Sequence, residues 1–449
     1  EATASSQKDN CIPGKNMTDS TNQKGVVRFL SEYSVPLIAG VVVAMVTANY
    51  LPSWYDHIVH SAVYDLFHAP AEHAHGHGHD HHASPWEHYL SLHFLVNDIF
   101  MVLFFGVAAK EITEACLPGG ALNPPSKAIN PLCGTIGGVL GPVAVFFGLN
   151  AIVGQSDWTN GWGIPTATDI ALAWLVAKLI FGKGHPAISF LLLLAVADDA
   201  IGLGIIAFAY PDPAHPTEWA NALWILPGMG TALMLRKCKL ASWIPYVAIC
   251  GTLCWWGLFS AHLHPALALV FVVPFIPGPN YDLGLYAEYV GDDASEHNTP
   301  LEQFEHATRH VVDFGLFFFA FANAGVSLQG VSGLTFIVLA SLLVGKTLGI
   351  TGFSYLAAKA GFRLPLGMNL SHLVVASVIA GLGLTVALFV SGQAFTDSGV
   401  QGAAKMGALL SVLAGPIALV VAVALGVANV KVKLPLFAVA KKSKANVGA

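Results

Sequence analysis

Two adjacent carboxylates, Asp198 and Asp199, lie inside the apolar run from Ala187 to Tyr210. A charged side chain at the centre of a bilayer costs about 2.5 to 3.5 kcal/mol on insertion scales, so a buried acidic pair indicates a functional site. Carboxylate oxygens suit small hard cations such as Na⁺ or Li⁺, and burial and like charge together disfavour two ionised carboxylates. We therefore expect protons and a small cation to compete for this pair.

Other polar residues that could serve such a site occur far away in the sequence. Thr168 and Asp169 follow Pro165, and a proline removes a backbone donor and interrupts a helix. The Gly-rich stretch 381–385 predicts a second interruption, and Lys346 lies in the apolar run before it. Because an interrupted helix places charged ends inside the membrane, Asp169 and Lys346 have the signs needed to balance them. Interrupted helices in matching positions of two halves are typical of inverted-repeat transporters.

The elements that must position these residues are membrane-spanning helices. Of the 449 residues, 55% are hydrophobic and 11% are charged, and the mean hydropathy is +0.62. Soluble domains have about a quarter of their residues charged. Because runs of about 20 apolar residues recur without the alternation of a barrel, we predict an all-α polytopic membrane protein. Twelve spans are predicted, centred near residues 43, 102, 142, 172, 198, 227, 250, 269, 317, 343, 382 and 418.

The Lys and Arg residues predict the orientation of these spans. Loops that stay in the cytoplasm keep an excess of both, and here they flank alternate connections and both ends of the chain. We therefore predict that both termini are cytoplasmic, in a membrane of the bacterial inner type. The predicted domains are a cytoplasmic tail (1–33), a twelve-helix transporter domain (34–430) that includes an external loop (53–92), and a basic cytoplasmic tail (431–449).

The predicted first external loop is rich in histidine. Eleven of the nineteen histidines lie between His57 and His93, and six are closely spaced: His73, His75, His77, His79, His81 and His82. Such a tract could bind zinc or copper, or gain charge as the external pH falls. The alternative is a solvated loop with incidental metal affinity, because the spacing specifies no closed tetrahedral site. A zinc-type transporter is the second functional hypothesis, although the spans offer Asp, Thr and Lys rather than His or Cys.

Two further acidic residues lie in the second predicted span. Asp98, near its start, could belong to a cation funnel, or its side chain could simply reach the membrane interface. Glu111, near the cytoplasmic end, could gather cations at a funnel mouth. The net charge of −6 offers no basic surface for nucleic acid. An acidic pair with no nucleophile or metal cage suggests no enzymatic reaction and no cofactor, and a channel is a weaker alternative to a transporter.

Five motifs resemble the NhaA-type sodium/proton antiporter family. In chain order they are PTATDIA at 165–171, AVADD at 195–199, FAFANAGVSLQG at 319–330, GKTLGI at 345–350 and GLGLT at 381–385. The likeness extends over most of residues 25–430. It implies a fold of about twelve helices in inverted repeats, with broken helices 4 and 11 crossing at mid-membrane. The implied function is exchange of Na⁺ or Li⁺ for H⁺ by alternating access.

The resemblance also implies roles for individual residues. Cations and protons bind Asp198 and Asp199 with help from Thr168 and Asp169, and Lys346 balances the helix ends. The pH-response positions of the family correspond to Glu111, His264, Glu305, His306 and His310. Two carboxylates and one exchanged cation favour more than one proton per cation, hence an electrogenic cycle. The expected partners are Na⁺, H⁺ and the lipid bilayer, and a homodimer is left open.

Overall fold

The computed structural model describes residues 34–61, 90–118, 120, 122–123, 125–153, 156–211, 216–279 and 299–428. These residues form helices and short 3-10 segments, and no β-strand occurs among them. The helices are α1 (Val35–Tyr50), α2 (Pro52–His60), α3 (Leu92–Ala115), α4 (Pro125–Val153), α5 (Ile170–Phe181), α6 (Pro186–Ala209), α7 (Ile225–Lys237), α8 (Tyr246–Ser260), α9 (Pro300–Ala324), α10 (Gly333–Lys359), α11 (Leu370–Ile379), α12 (Leu384–Ala394) and α13 (Ser398–Ala424).

Several of these helices are built to cross a membrane. Within the described residues, α3, α4, α6, α10 and α13 are each long and apolar enough to do so, and two bent helix pairs add up to two further spans. The helix α1, the helix α8 and the 3-10 stretch Pro265–Phe275 are shorter and apolar. The protein is therefore an all-α, multi-pass integral membrane protein, which confirms the predicted fold class. The number of twelve spans stays a prediction.

The first bent pair contains the predicted break at Pro165. A 3-10 segment, Ser156–Thr166, leads into three residues without helical structure, and α5 begins at Ile170 after a bend of 56°. Asp169 is the N-cap of α5, and its side chain accepts a hydrogen bond from the Leu172 amide at 3.1 Å. Proline and an aspartate cap therefore end one helix and start the next within the span.

The second bent pair contains the predicted Gly-rich break. Helix α11 ends at Ile379 and α12 starts at Leu384, with a bend of 48° between them. The two breaks touch each other, because the Asp169 amide donates a hydrogen bond to the Leu382 carbonyl at 2.6 Å. A Cβ on Gly383 would lie 3.2 Å from the Ala167 carbonyl oxygen and 2.7 Å from the Leu342 side chain, so glycine permits this close approach.

Helices α4 and α10 also pack closely through glycines. Gly137 and Gly141 of α4 lie against Gly345 and Gly349 of α10, and a Cβ added to any of the four would collide with the facing backbone. Small residues that let backbones approach are a usual basis of helix association in membranes. The contact fixes the part of α10 that carries Lys346. A π-helical segment, Ser341–Gly345, directly precedes that lysine.

One predicted span differs in kind from the expectation. The stretch centred near residue 269 is a 3-10 segment, Pro265–Phe271, followed by a second short one, Val273–Phe275. Pro265 starts the first of these segments, and Pro274 lacks the amide that an α-helix continuing from Pro265 would need at that position. The other predicted centres fall within helices or, near residue 382, within the second break. The tails at 1–33 and 431–449 and the histidine tract at 73–82 lie outside the described residues.

Candidate functional site

The acidic pair lies in the middle of α6. Asp198 is fully buried, and its Oδ2 accepts hydrogen bonds from Lys346 Nζ and from the Thr168 hydroxyl, both at 2.9 Å. Its other oxygen, Oδ1, is buried and has no hydrogen-bond partner among the described residues. A Cβ on Gly138 of α4 would lie 3.4 Å from this Oδ1, so glycine leaves room beside it. One oxygen of Asp198 is thus held while the other is available.

Lys346 is the cation of the site. Its side chain is fully buried, forms the ion pair with Asp198 and also donates to Thr168 Oγ1 at 2.6 Å. The Thr168 hydroxyl has one proton and lies within reach of two acceptors, Asp198 Oδ2 and the Ala380 carbonyl at 3.0 Å. Thr168 therefore joins the first break to the second. Lys346 contacts a carboxylate and a hydroxyl in this arrangement, whereas the sequence suggested a role opposite helix ends.

Asp169 serves the helix ends directly. Besides the Leu172 amide, its carboxylate accepts a hydrogen bond from the Thr385 amide at 3.3 Å. These amides belong to the first turns of α5 and α12, the two helices that start inside the membrane. A carboxylate suits both, because a helix N-terminus carries about half a positive charge and has unpaired amides.

Asp199 lines a small cavity of about 10 Å³, roughly the room that one water molecule needs. Its Oδ1 is buried without a hydrogen-bond partner in the described structure. The other lining residues belong to three helices: Phe105 and Ala108 of α3, Gly202, Leu203 and Ile206 of α6, and Val386 of α12. The strongest charged neighbours of Asp199 are Glu111 and Asp198, followed by Lys346 and Asp169. The two adjacent aspartates thus each have a buried oxygen without a hydrogen-bond partner in the described structure, and such oxygens can take a proton or a small cation.

The residues expected to respond to pH are dispersed around this centre. Glu111 is on α3 and acts electrostatically on Asp199. Glu305 of α9 forms an ion pair with Lys110, which also pairs with Glu114 at 2.7 Å. His264 is buried, accepts from the Ala266 amide at 3.4 Å, and packs with its ring 4.6 Å from that of Phe389. His306 and His310 are exposed on α9.

Asp98 and a metal site were the two other candidates. Asp98 is in the π-helical segment Leu95–Phe100 of α3, where its carbonyl accepts a hydrogen bond from the Trp255 indole at 2.9 Å. The described residues contain no group of three or more His, Cys, Asp and Glu side chains able to hold a metal ion. Since the six closely spaced histidines are not described, no observation favours the metal-transporter hypothesis.

One charged residue outside the expected site is also buried. Lys405 lies within α13, with 8% of its surface exposed. The signal in the sequence is that Lys405 is the only charged residue between Ser398 and Ala424.

Two helices that are interrupted inside the membrane, meet at their breaks and enclose buried charges define a secondary transporter of the broken-helix class. The comparison of sequences identifies the family within that class. The chain belongs to the Na⁺/H⁺ antiporter 1 family, whose model matches residues 26–425. The resemblance to NhaA-type antiporters is thereby confirmed.

Individual relatives resemble the chain over nearly their whole length. A protein of Geobacter sulfurreducens named Na(+)/H(+) antiporter NhaA is 54% identical over 86% of this chain and 94% of its own. The protein of the same name from Desulfitobacterium hafniense is 52% identical over 92% of this chain and 99% of its own. A more distant relative with that name, from Jannaschia sp., is 40% identical over 88% and 97%.

Proposed function

We propose that this protein exchanges Na⁺ or Li⁺ for H⁺ across a membrane, with Asp198, Asp199 and Thr168 as the ion-binding residues. The observation that carries this proposal is the pair of buried oxygens, Asp198 Oδ1 and Asp199 Oδ1, that have no hydrogen-bond partner among the described residues, with Asp199 lining a small cavity. A buried carboxylate must be neutralised by a proton or a cation. Family membership and the names of the relatives support sodium as the cation.

Competition for these oxygens accounts for exchange. In the proton-loaded form, the carboxyl groups hold protons and the cavity holds no cation. A sodium ion that enters from one side takes the place of those protons, because both bind the same oxygens. If the loaded site then opens to the other side, the ion leaves and protons return. Exchange needs only that the site never opens to both sides together.

Lys346 links the protonation of Asp198 to cation binding. It is a fully buried ammonium group whose charge is balanced by Asp198. A cation that contacts Asp198 therefore competes with the Lys346 ammonium group for the same carboxylate. Two carboxylates and one exchanged cation give more than one proton per sodium ion, so the cycle is electrogenic.

The remaining expectations are part of the same proposal. The transporter domain covers 34–430 between two cytoplasmic tails, in an inner membrane of bacterial type. The Lys110–Glu305 ion pair links α3 to α9. Glu111, next to Lys110 in the chain, and Glu305 take part in the pH response. Asp98 belongs to a cation funnel. The pH response is modulated by His264, His306 and His310. The protein acts as a transporter without a cofactor or an enzymatic reaction. A homodimer is compatible with all of this.

The test of this function is exchange in proteoliposomes that contain the full chain. We expect an internal pH change on addition of Na⁺ or Li⁺, and none with Asp199→Asn, because an uncharged amide cannot take up and release the proton. Asp157→Asn is the matched control, since Asp157 is exposed on the 3-10 segment. Full sodium response in Asp199→Asn would overturn the assignment. A response to Zn²⁺ but not to Na⁺ would favour the metal-transporter hypothesis.

A further inference from the structure

Tyr210 is a buried tyrosine just after the C-terminal end of α6, the helix that carries the acidic pair. Its hydroxyl accepts a hydrogen bond from the Gly163 amide at 2.8 Å and donates one to the Asn160 carbonyl at 2.7 Å. Both partners belong to the 3-10 segment Ser156–Thr166 that precedes the first break. The single hydroxyl therefore pairs two backbone groups of this segment within the protein interior.

Tyr210 and Gly163 fit each other closely. A Cβ on Gly163 would lie 2.6 Å from the Tyr210 hydroxyl oxygen and 2.6 Å from Cε2 of its ring. Real Cβ atoms do not approach other atoms so closely, and a methyl group would therefore displace the hydroxyl. The glycine is thus required for the hydrogen bond rather than for a special backbone angle.

A short series of hydrogen bonds connects Tyr210 with the proposed ion-binding residues. The Gly163 carbonyl accepts a hydrogen bond from the Thr166 hydroxyl at 2.7 Å, and Thr168, two residues further on, donates to Asp198. Asp198 and Tyr210 are on one helix, about 18 Å apart along its axis. The segment between Asn160 and Thr168 is therefore attached to α6 at both of its ends, which fixes Thr168 relative to Asp198.

The same cluster reaches the second broken span. The Asn160 side chain donates a hydrogen bond to the Ala394 carbonyl at 2.7 Å, at the last residue of α12. Around Gly161, a Cβ would lie 2.8 Å from the ring of Phe395, so this contact is also tight. Tyr210 and Asn160 thus hold together α6, the first broken span and the second.

We propose that Tyr210 is a positioning residue for sodium binding: its hydroxyl holds the 3-10 segment on α6 and so sets the place of the Thr168 hydroxyl beside Asp198. The proposal rests on the proposed function, because Tyr210 acts through Thr168. Among the described residues, Tyr210 is not one of those that line the cavity, and its hydroxyl bonds to Gly163 and Asn160 rather than to the acidic pair. Its loss should weaken sodium binding while the acidic pair and the fold persist.

The test replaces the hydroxyl alone. Tyr210→Phe keeps the ring and removes both hydrogen bonds. We expect the apparent KM for Na⁺ in proteoliposomes to rise about tenfold with a smaller change in maximal rate, because misplaced binding groups weaken binding steeply. Two buried tyrosines provide controls. Tyr55→Phe removes a hydrogen bond to the Phe321 carbonyl away from the site, and Tyr246→Phe removes a hydroxyl without a partner in the described residues. Neither control should change the KM by more than about twofold.

A double-mutant cycle with Thr168→Ala separates this proposal from the function on which it rests. If Tyr210 acts through Thr168, Tyr210→Phe adds little to the KM of Thr168→Ala, whereas independent effects multiply. Two results would overturn the positioning role alone. One is that the KM changes of the two substitutions multiply in the double variant. The other is an unchanged KM in Tyr210→Phe together with a raised KM in Thr168→Ala. An unchanged KM in Thr168→Ala would overturn the role of Thr168 in the site, and the positioning role with it.

A second variant covers the case in which Tyr210→Phe does not reach the membrane. Gly163→Ala removes no side chain of the cluster, but its added methyl group displaces the Tyr210 hydroxyl, so we expect the same rise in KM. Gly148→Ala is its control, because no atom lies within 4 Å of a Cβ at that position. A normal KM for Gly163→Ala in folded protein would also contradict the proposal.

Discussion

Asp169 caps the N-terminal ends of two helices with one carboxylate. Its carboxylate accepts hydrogen bonds from amides in the first turns of α5 and α12, 3.1 and 3.3 Å away. An amide left unpaired in the membrane interior costs far more than one at a surface, because no water replaces the lost acceptor. Asp169 is therefore expected to stabilise the protein, in addition to any part it has in ion binding.

We predict that Asp169→Ala lowers the free energy of unfolding by about 2 to 4 kcal/mol, since each lost cap costs about 1 to 2 kcal/mol. Asp169→Asn keeps a carbonyl oxygen for one of the two amides and should lose about half as much. The measurement is thermal unfolding in detergent. Asp397→Ala is the control, because Asp397 caps only α13 through the Val400 amide at an exposed position. Equal losses in Asp169→Ala and Asp397→Ala would contradict the double cap.

Lys346 shows what sequence reasoning can reach at the level of single residues. Its charge inside an apolar run indicated a functional lysine, and the nearby break indicated a helix end as its partner. The partner in the structure is Asp198, which is 148 positions away in the chain. No pattern along a single sequence specifies that pairing, because it depends on how α4 packs against both α10 and α6.

At the level of elements, the contact between α4 and α10 holds this lysine in place. Four glycines let the two helices approach until backbone meets backbone, with Gly141 facing Gly345 immediately before Lys346. Dispersion and close packing, rather than the hydrophobic effect, stabilise such contacts within a membrane. The position of the Lys346 ammonium group thus depends on residues that carry no functional group.

Gly141→Ala should therefore impair both stability and exchange. The added methyl would meet the Gly345 carbonyl and lie 2.9 Å from Gly349 Cα, and we expect a loss of about 1 to 3 kcal/mol as in other overpacked cores. Exchange should fall as α10 shifts Lys346 away from Asp198. Gly148→Ala, on the same helix but in open space, is the matched control. Thermal unfolding and sodium-driven exchange measure the two effects, and wild-type values for Gly141→Ala in both would refute the argument.

The two halves of the chain share one structural feature, an interrupted span. Each half has a broken span, with breaks at 167–169 and at 380–383, and the two breaks contact each other through Asp169 and Leu382. The helix ends at these breaks leave polar backbone groups and partial charges where lipid could not satisfy them. Thr168 and Asp169 pair some of these groups, and Lys346 joins Thr168 to Asp198, so the site and the fold stabilise each other.

The apolar runs and the Pro and Gly residues that interrupt them were sufficient to predict the membrane-spanning helices and the two breaks from the sequence. Pro165 and the glycines at 381 and 383 marked both breaks, and apolar length marked the spans. The 3-10 form of Pro265–Phe271 was missed because composition does not distinguish it from a helix. The role inferred for Tyr210 was not visible either, since a tyrosine after an apolar helix is ordinary until Asn160 and Gly163 are seen beside it.

Competition between sodium and protons for the Asp198 and Asp199 oxygens is the central claim, and transport currents at different pH values test it most directly. In proteoliposomes with equal pH on both sides, we predict that lowering the pH raises the apparent KM for Na⁺, by up to about tenfold per pH unit for each competing proton. The maximal current at saturating sodium should stay the same, because enough sodium displaces the protons. A KM that is constant with pH while the maximal current falls would contradict a shared site.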